Sequence, residues 1–359
     1  MKSKALFRFR KSLLNDMMFV TVLHAYFLCT QSTFAIDDPR SIPGNVLWLD
    51  GSDVDGDFLI GGAFRDGTTW VDKSSTGNAH AVQTAANRIP STEVCSHHGL
   101  ATLSFDGTDY MDVASEAFGM LRNTSGCTLF VLASATQATG TQGHRVFMIS
   151  TGTNSAGTRA GFNFHDSFGT SIGGSGIAGL AGRRLDSDPY QRINGFGLVD
   201  GSYGQWTGVF DYQNGKLDLF ADGVLSTSAA GFQSAGNTSE TDSLNIRLGA
   251  DAALNADRGF FTGNLAELIV YDRVLTESER RQAESYLVEK WNIPKIRQEV
   301  TGGNLVLSWP SSAPYWRAEE SQDLVNFDPT SFSVIEENGR NKVNVPLTVG
   351  RSFYRLVRP

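Results

Sequence analysis

Cysteine is scarce in this chain, with 3 in 359 residues, and methionine and histidine are scarce too, with 6 each. So few cysteines exclude a fold stapled by many disulfides. Charged residues make up 19% and hydrophobic ones 40%, which excludes a disordered chain. Basic residues are outnumbered, 30 Lys and Arg against 38 Asp and Glu. An acidic balance repels phosphate backbones and excludes a dedicated nucleic-acid binder. Beyond the first 35 residues no apolar run approaches the ~18 needed to cross a bilayer, and collagen and coiled-coil repeats are missing. What is abundant is glycine (38) and phenylalanine (23), the composition of many short strands joined by tight turns. The length suggests two or three units.

The N-terminal segment stands apart. Residues 1–16 carry Lys2, Lys4, Arg8, Arg10 and Lys11 against Asp16, followed by an apolar run of 12 residues, Met17–Leu28. Thr33-Phe34-Ala35 then places small residues at −3 and −1 of a cleavage site. This order reads as a secretory signal peptide over 1–35. The rival reading, an uncleaved anchor, is opposed by His24 and by the shortness of the run. Cys29 follows bulky Phe27 and Leu28 and makes a poor lipoprotein cysteine. Cleavage leaves 25 Lys and Arg against 37 Asp and Glu, a net charge of −12. It points to a secreted, periplasmic or cell-surface location. The two cysteines that remain, Cys95 and Cys127, are expected to bridge in an oxidising compartment, the alternative being two buried thiols.

From Asn45 to Asp272 the pattern is strands and turns. Asn45–Asp50 (NVLWLD) alternates with period two, and Leu103–Val113 reads as strand, Asp-Gly turn, strand. Gly126–Ala133 is an unbroken apolar run and predicts a strand buried on both faces. Trp206–Tyr212 and Leu217–Ala221 flank Gln213-Asn214-Gly215-Lys216, a hairpin signal, and Asp222-Gly223 marks a second turn. Leu244–Leu248 and Leu265–Tyr271 complete the set. Residues 140–182 hold 11 glycines and read as long surface loops around short strands at Arg145–Ile149 and Gly161–Phe164, unable to build core. Thr276-Glu277-Ser278-Glu279 is a capping box. Ala283, Tyr286, Leu287 and Trp291 follow at helical spacing, so this helix is expected to lay one apolar stripe on a sheet. Past Pro294 short strands resume at Asn304–Trp309, Tyr315–Glu319, Phe332–Ile335, Lys342–Val345 and Phe353–Val357. They suggest a small separate β module, the alternative being a tail that completes the first sandwich.

Several segments resemble a known family. VLWLDGSD at 46–53, WVDKSSTGNAHAVQ at 70–83, LSFDGTDYMDV at 103–113 and WTGVFDYQNGKLDLFADG at 206–223 are similar to LamG-like (concanavalin A-like) jelly-roll domains of secreted bacterial proteins. The segment 248–291, LGADAALNADRGFFTGNLAELIVYDRVLTESERRQAESYLVEKW, resembles their closing strand and helix and is the most specific match. The resemblance spans roughly residues 42–292 and lapses in the glycine-rich 140–200 region. The tail, through LVLSWP at 305–310, YWRAEESQDLVNF at 315–327 and SFYRLV at 352–357, is similar to small C-terminal β modules of planctomycete and verrucomicrobial type. The resemblance implies an all-β, antiparallel two-sheet jelly-roll sandwich over 42–292 with one C-terminal helix packed on it. A small β-sandwich-like module follows at 296–359. It also implies recognition of glycans or proteins, often with calcium, and relatives on the same fold include hydrolases and lyases. Fold alone does not choose among these.

Catalytic patterns are mostly missing. Retaining glycosidases need two carboxylates about 5 Å apart, and no strand here carries Glu-x-Asp-x-x-Glu or Glu-x-Asp-x-Glu. Glu267 sits alone in LAELIVY and reads as a structural carboxylate. Gly169–Gly173 matches G-x-S-x-G but lacks the strand–turn–helix elbow that the motif requires. Adjacent His97 and His98 would point to opposite faces of a strand. Asp53, Asp55 and Asp57 place acids at alternate positions, suited to an oxygen-seeking cation, calcium before others. They depart from the EF-hand pattern at Phe58, and the alternative is a solvated acidic turn. Tyr190, Phe196 and Tyr203 lie in or beside the glycine-rich loops and are candidates for a sugar-stacking platform, whereas Trp70 and Trp206 read as core. The sequence is therefore read as a secreted, non-enzymatic protein that binds glycan. A cell-surface adhesion or envelope scaffold binding other proteins is the alternative, and a polysaccharide hydrolase or lyase has the least support.

Overall fold

The computed structural model describes residues 38–94, 100–135, 144–153, 155–165, 177–195, 203–232, 234–252, 258–291, 297–310, 317–321, 327–337, 340–346 and 353–357. The signal segment 1–35, Cys95, the His97-His98 pair, Gly169–Gly173 and Phe196 lie outside the described residues.

Chain order gives β1 (Asn45–Asp50), β2 (Thr69–Trp70), β3 (Ala81–Val82), β4 (Ser91–Val94), β5 (Ala101–Asp106), β6 (Met111–Val113), β7 (Gly126–Ala135) and β8 (His144–Ser150). Then come β9 (Thr158–His165), β10 (Ile177–Gly182), β11 (Gln191–Gly195), β12 (Tyr203–Asp211), β13 (Lys216–Ala221), β14 (Val224–Ala229), β15 (Asn245–Leu248), β16 (Thr262–Tyr271) and helix α1 (Glu277–Trp291). The tail adds β17 (Arg297–Thr301), β18 (Asn304–Pro310), β19 (Arg317–Ser321), β20 (Asp328–Pro329), β21 (Val334–Glu337), β22 (Arg340–Pro346) and β23 (Phe353–Val357). Two eight-stranded antiparallel sheets form a sandwich consistent with a jelly roll. The first runs β14-β13-β12-β7-β16-β5-β4 with β1 also on β16, and the second runs β11-β10-β9-β8-β15-β6-β3-β2.

The alternation in the sequence sorts side chains between two apolar clusters. Leu47 and Leu49 of β1 and Leu129 and Val131 of β7 enter the core between the sheets, with Trp70, Phe162, Phe164 and Trp206. Trp48, Phe130 and Leu132 point the other way, onto the outer face of the first sheet. This is why β7 is buried along all ten residues and reads as unbroken apolar. Helix α1 covers that outer face with Ala283, Tyr286, Leu287 and Trp291. Its start is the expected box: the Thr276 amide donates to Glu279 at 2.9 Å and the Glu279 amide donates to Thr276 Oγ1 at 3.3 Å. A polar tether adds to the packing, where Thr207 Oγ1 of β12 donates to Glu284 at 2.9 Å. The tail builds sheets of its own, β17-β18-β22-β21 and β20-β19-β23. Its Leu307, Trp309, Val343 and Val345 share the apolar cluster beneath α1.

Turns follow their glycines. Asp222 (φ +49°) and Gly223 (φ +78°) form the two-residue link between β13 and β14, the left-handed pair that such a hairpin requires.

Two expectations are corrected. The 140–182 stretch does build core: Val146, Phe147 and Ile149 of β8, Phe162 and Phe164 of β9, and Leu180 of β10 all lie between the sheets. Among the described residues, Gly161 of β9 and Gly179 of β10 sit on the outward side of their strands and leave the inward face apolar. Leu103–Val113 is strand, turn, strand as read, and because β5 joins the first sheet and β6 the second, the Asp106-Gly107 turn carries the chain across the sandwich. Cys127 is a free, buried thiol. The expected bridge to Cys95 is not formed, because the Cys127 side chain is committed to the inter-sheet core, where burial pushes its pKa up.

Candidate functional site

The acidic loop follows β1 directly. Gly61 donates its amide to the Ser52 carbonyl at 2.8 Å and closes the loop. Asp53 is buried and accepts the Asp57 amide at 3.1 Å, the Phe58 amide at 3.0 Å and Lys73 Nζ at 2.5 Å. Asp57 accepts the Leu59 amide at 2.8 Å. Asp55 has a buried carboxylate oxygen with no hydrogen-bond partner. Burial, then a hydrogen bond with Asp53 and the charges of Asp57 and Asp53, hold the Asp55 carboxyl above its ordinary range. Gly62 (φ +88°) packs against that carboxyl, and a Cβ there would come within 2.4 Å of it. One oxygen from each of the three aspartates lies within 4.8 Å of the others. The donor chemistry fits a hard cation, held mainly by Asp55 and Asp57, because Lys73 already neutralises Asp53. Lys73 also lies 4.5 Å from the Trp48 ring and 4.8 Å from the Phe58 ring, which leaves Leu59 and Ile60 exposed at the loop tip.

Next to this loop two carboxylates face each other across strands. Asp50 of β1 is the register partner of Glu267 of β16. The pairing brings together two acids far apart in sequence, but it is sealed. Glu267 is fully buried and accepts Trp48 Nε1 at 2.6 Å, Tyr286 Oη at 2.8 Å, Trp291 Nε1 at 2.6 Å and Lys290 Nζ at 2.9 Å. Lys290 bridges on to Asp50 at 2.6 Å, and Lys73 reaches Asp50 at 2.8 Å. Burial raises the Glu267 pKa, and Lys290 acts against the rise. Sequence reading gave Glu267 a structural role. Its partners on α1 and β1 are set by tertiary packing and leave no local signal.

The outer face of the second sheet differs. Register places Asn194, Gly179, Asn163 and Arg145 in one row across β11, β10, β9 and β8. A parallel row runs Arg192, Ala181, Gly161, Met148, Arg247 and Asp112, reaching β15 and β6. These residues alternate with the core-facing Ile193, Leu180, Phe162 and Ile246 and so share the outward face. Arg192 and Asn194 are exposed, Arg145 is half-buried, and Asn163 and Met148 are buried. Between them Gly179, Ala181 and Gly161 offer little beyond backbone, and Gly179 and Gly161 are buried. The Arg145 amide donates to the Gly259 carbonyl at 2.8 Å, which sets the segment around Arg258 beside the row. Burial lowers the Arg145 pKa. Arg258 and Arg192 act in the same direction, and Asp251 and Tyr190 act against it. Farther along, Arg247 grips Asp112 through Nε at 2.6 Å and Nη2 at 3.0 Å and stacks 4.2 Å from the Tyr110 ring.

The sequence-predicted aromatics separate. Tyr190 immediately precedes β11 and is exposed, within the electrostatic reach of Arg145. Tyr203 opens β12 in the other sheet, packs against the helix-side cluster and shares a 3.2 Å hydrogen bond with Thr102. The acids Asp53, Asp55 and Asp57 do come together. Arg145, Asn163, Arg192 and Asn194 were missed by sequence reading. Their signal was the polar-apolar alternation of Gln191–Gly195 (QRING) and Thr158–His165, masked by glycine.

Comparison with known proteins agrees with this architecture. A sequence model of the family described as Concanavalin A-like lectin/glucanases superfamily matches residues 105–279, from β5 to the first turn of α1. The jelly-roll resemblance holds over that span. Comparison with curated protein sequences gives no match. Among solved structures, the chain is similar to the Ruminococcus gnavus IT-sialidase CBM40 bound to α2,3-sialyllactose (16% identity, 50% of this chain, 93% of that chain, TM-score 0.38). It is also similar to domain 4 of AbnA, a GH43 extracellular arabinanase from Geobacillus stearothermophilus, in complex with arabinotriose (15% identity, 67% and 97%, TM-score 0.43). A third is the heptameric SAP-like pentraxin from Limulus polyphemus (13% identity, 52% and 80%, TM-score 0.38).

Proposed function

We propose that this is a secreted, non-catalytic glycan-binding protein whose ligand lies on the outer face of the second sheet, at its β11 end. One observation carries the reading: strand register places the planar amide and guanidinium groups of Asn163, Asn194, Arg145 and Arg192 on one outward face with small residues between them, and exposed Tyr190 immediately precedes β11. Sugars are held by such directional polar groups and by an aromatic face. The lectin/glucanase family match over 105–279 supports the same reading. The one facing pair of carboxylates described above, Asp50 and Glu267, is locked by two lysines, two indoles and a phenol, which speaks against its use in hydrolysis. Calcium belongs to the proposal as a loop-ordering ion at Asp53, Asp55 and Asp57. The test is an oligosaccharide array run in calcium and in chelator with the wild type, Asn194→Ala and Tyr190→Ala. The expected result is binding by the wild type that each substitution lowers about tenfold, a loss of about 1.4 kcal/mol. Binding that survives both substitutions unchanged would move the site elsewhere.

A second reading, an adhesion or envelope scaffold binding protein through the tail, is favoured by β21. This strand ends the four-stranded tail sheet and leaves Val334 and Ile335 about half exposed, an edge open to pairing. Ile335→Lys in the full chain would abolish self-association or envelope association under this reading and leave glycan binding intact.

A further inference from the structure

We infer that the tip of the loop after β1, residues 58–63, is a surface that docks on a neutral lipid bilayer. The glycan reading neither requires this nor is required by it. The six residues of the tip, Phe-Leu-Ile-Gly-Gly-Ala, carry no polar side chain. Leu59 is 69% exposed and Ile60 73%, with Phe58 half exposed beside them. Elsewhere among the described residues large apolar side chains are exposed singly or in adjacent pairs, which a globular surface tolerates. A run of three is a contiguous patch, and such patches mark contact sites.

The tip is built to project. Asp53, from inside the molecule, accepts the Asp57 amide at 3.1 Å and the Phe58 amide at 3.0 Å, and Asp57 accepts the Leu59 amide at 2.8 Å. The Gly61 amide closes the loop on the Ser52 carbonyl at 2.8 Å. Phe58 takes a left-handed φ of +68°, which a bulky residue keeps only where its surroundings fix it. Its ring lies 4.5 Å from the Arg40 guanidinium, 4.8 Å from Lys73 Nζ and 6.3 Å from the Trp48 ring. The backbone beneath Leu59 and Ile60 is therefore ordered in advance, and docking orders little more.

A bilayer fits this tip better than a protein does. No side chain from 58 to 63 can donate or accept a hydrogen bond, whereas a protein interface sets polar groups around its core. Arg40, stacked on Phe58, lies about a dozen residues beyond the apolar run at 17–28, a reach of at most about 40 Å. When that run is in a membrane, the tip is kept within that distance of the same lipid. No helix among the described residues is long and apolar enough to cross a membrane, so the tip rests in the interface. Asp55 and Asp57 at the base of the loop, in a chain of formal net charge −8, oppose an anionic surface, which selects a neutral headgroup.

Photocrosslinking with the full chain reads this contact directly. A benzophenone amino acid replaces Ile60 in one preparation and Val224, an exposed apolar residue of β14, in another. Each is mixed with phosphatidylcholine vesicles free of glycan, and melting curves establish that both are folded. The expected result is lipid adduct at position 60 about tenfold above that at position 224, unchanged between about 0.1 and 1 M salt because apolar contact is not screened as charge is. Leu59→Ser in the chain labelled at 60 should lower the adduct about tenfold, the loss of one well-buried apolar side chain. Exchanging half of the phosphatidylcholine for phosphatidylglycerol should lower it as well. Equal adduct at the two positions would show that the N-terminal run alone holds the chain on the vesicle and would overturn the inference, as would no adduct at 60. Adduct from 60 to an envelope protein, with none to lipid, would make the tip a protein contact and overturn it too. Adduct that rises with phosphatidylglycerol would overturn the choice of a neutral surface. Each of these outcomes leaves glycan binding standing.

Discussion

The outer faces of the two sheets are built from the same alternation of inward and outward residues, yet they have opposite characters. On the first sheet the outward positions of β1, β7 and β16 are Trp48, Phe130, Ile269 and Tyr271, and helix α1 and the tail seal them. The one acid there with no exposed surface, Glu267, is surrounded by four donors. On the second sheet the outward positions are Arg192, Asn194, Asn163, Arg145 and Arg247, and glycine and alanine take the places between them. A covered face spends its polar groups on internal partners and gains stability. The second face carries amides and guanidinium groups on strands whose intervening positions are small, some of them buried and some, Arg192 and Asn194, exposed. The contrast separates residues that hold the molecule together from residues proposed to meet a ligand.

The largest blow to the covered face should come from Glu267→Ala. It leaves the Trp48 and Trp291 indoles, Tyr286 and Lys290 without their acceptor, and breaking a buried charge pair costs about 3–5 kcal/mol. Urea unfolding should show a loss of that size, with glycan binding by the folded fraction unchanged. A neutral outcome would mean that the hub is not what fastens α1 to the sheet. Calcium at the acidic loop comes next. At a hundredfold excess over its Kd, an ion bound only by the folded state adds about 2.7 kcal/mol. Calcium should therefore raise the melting temperature, and Asp55→Ala should abolish the rise. Because the Asp55 carboxyl titrates above its ordinary range, protons should begin to displace the ion at a higher pH than for an ordinary aspartate. Superimposable melting curves in calcium and chelator would leave the three acids as a solvated turn.

Smaller effects test the helix start. Thr276→Ala removes a cap and should cost about 1 kcal/mol. Its partner Glu279 is held down to about 2 by hydrogen bonds first from Arg273 and then from the Thr276 amide. A carboxyl whose folded pKa is lowered stabilises the fold above its unfolded value, near 4.5, and loses that contribution as the pH falls toward 2. The stability difference between wild type and Glu279→Gln should accordingly be constant at neutral pH and shrink through that window. The smallest change in stability belongs to the open face, where Asn194→Ala should stay within about 0.5 kcal/mol while weakening ligand binding. A large destabilisation there would erase the division between the two faces.

Local chemistry made much of this fold legible in the sequence. β1 alternates cleanly, the capping box opens α1 at its predicted residue, and Asn214-Gly215 and Asp222-Gly223 mark real hairpins. Legibility failed where a signal depends on distant partners. The Asp106-Gly107 turn looks like a hairpin turn, and only the pairing of β5 with β16 and of β6 with β15 shows that it crosses between sheets. In β9 and β10 outward glycines dilute the apolar alternation, so a core-forming segment reads as loop. The candidate face was hidden for the same reason: its arginines and asparagines are scattered over four strands and become neighbours only through register. The three aspartates were legible because they are close in sequence. Their entanglement with Lys73 was not.

The pairing of β1 with β16 has a consequence in time. Trp48 and Glu267 are 219 residues apart in the chain, so the first strand of the sandwich stays without its neighbour until nearly the whole domain has been synthesised. Closing so long a loop delays the reward for ordering either end, and folds dominated by distant pairings are slow and expose unpaired strands while they wait. Lys290, which ties Asp50 to Glu267 from the last turn of α1, comes later still. The first strand is therefore completed last, and a chain cut short before β16 begins at Thr262 leaves an apolar first strand without its sheet neighbour.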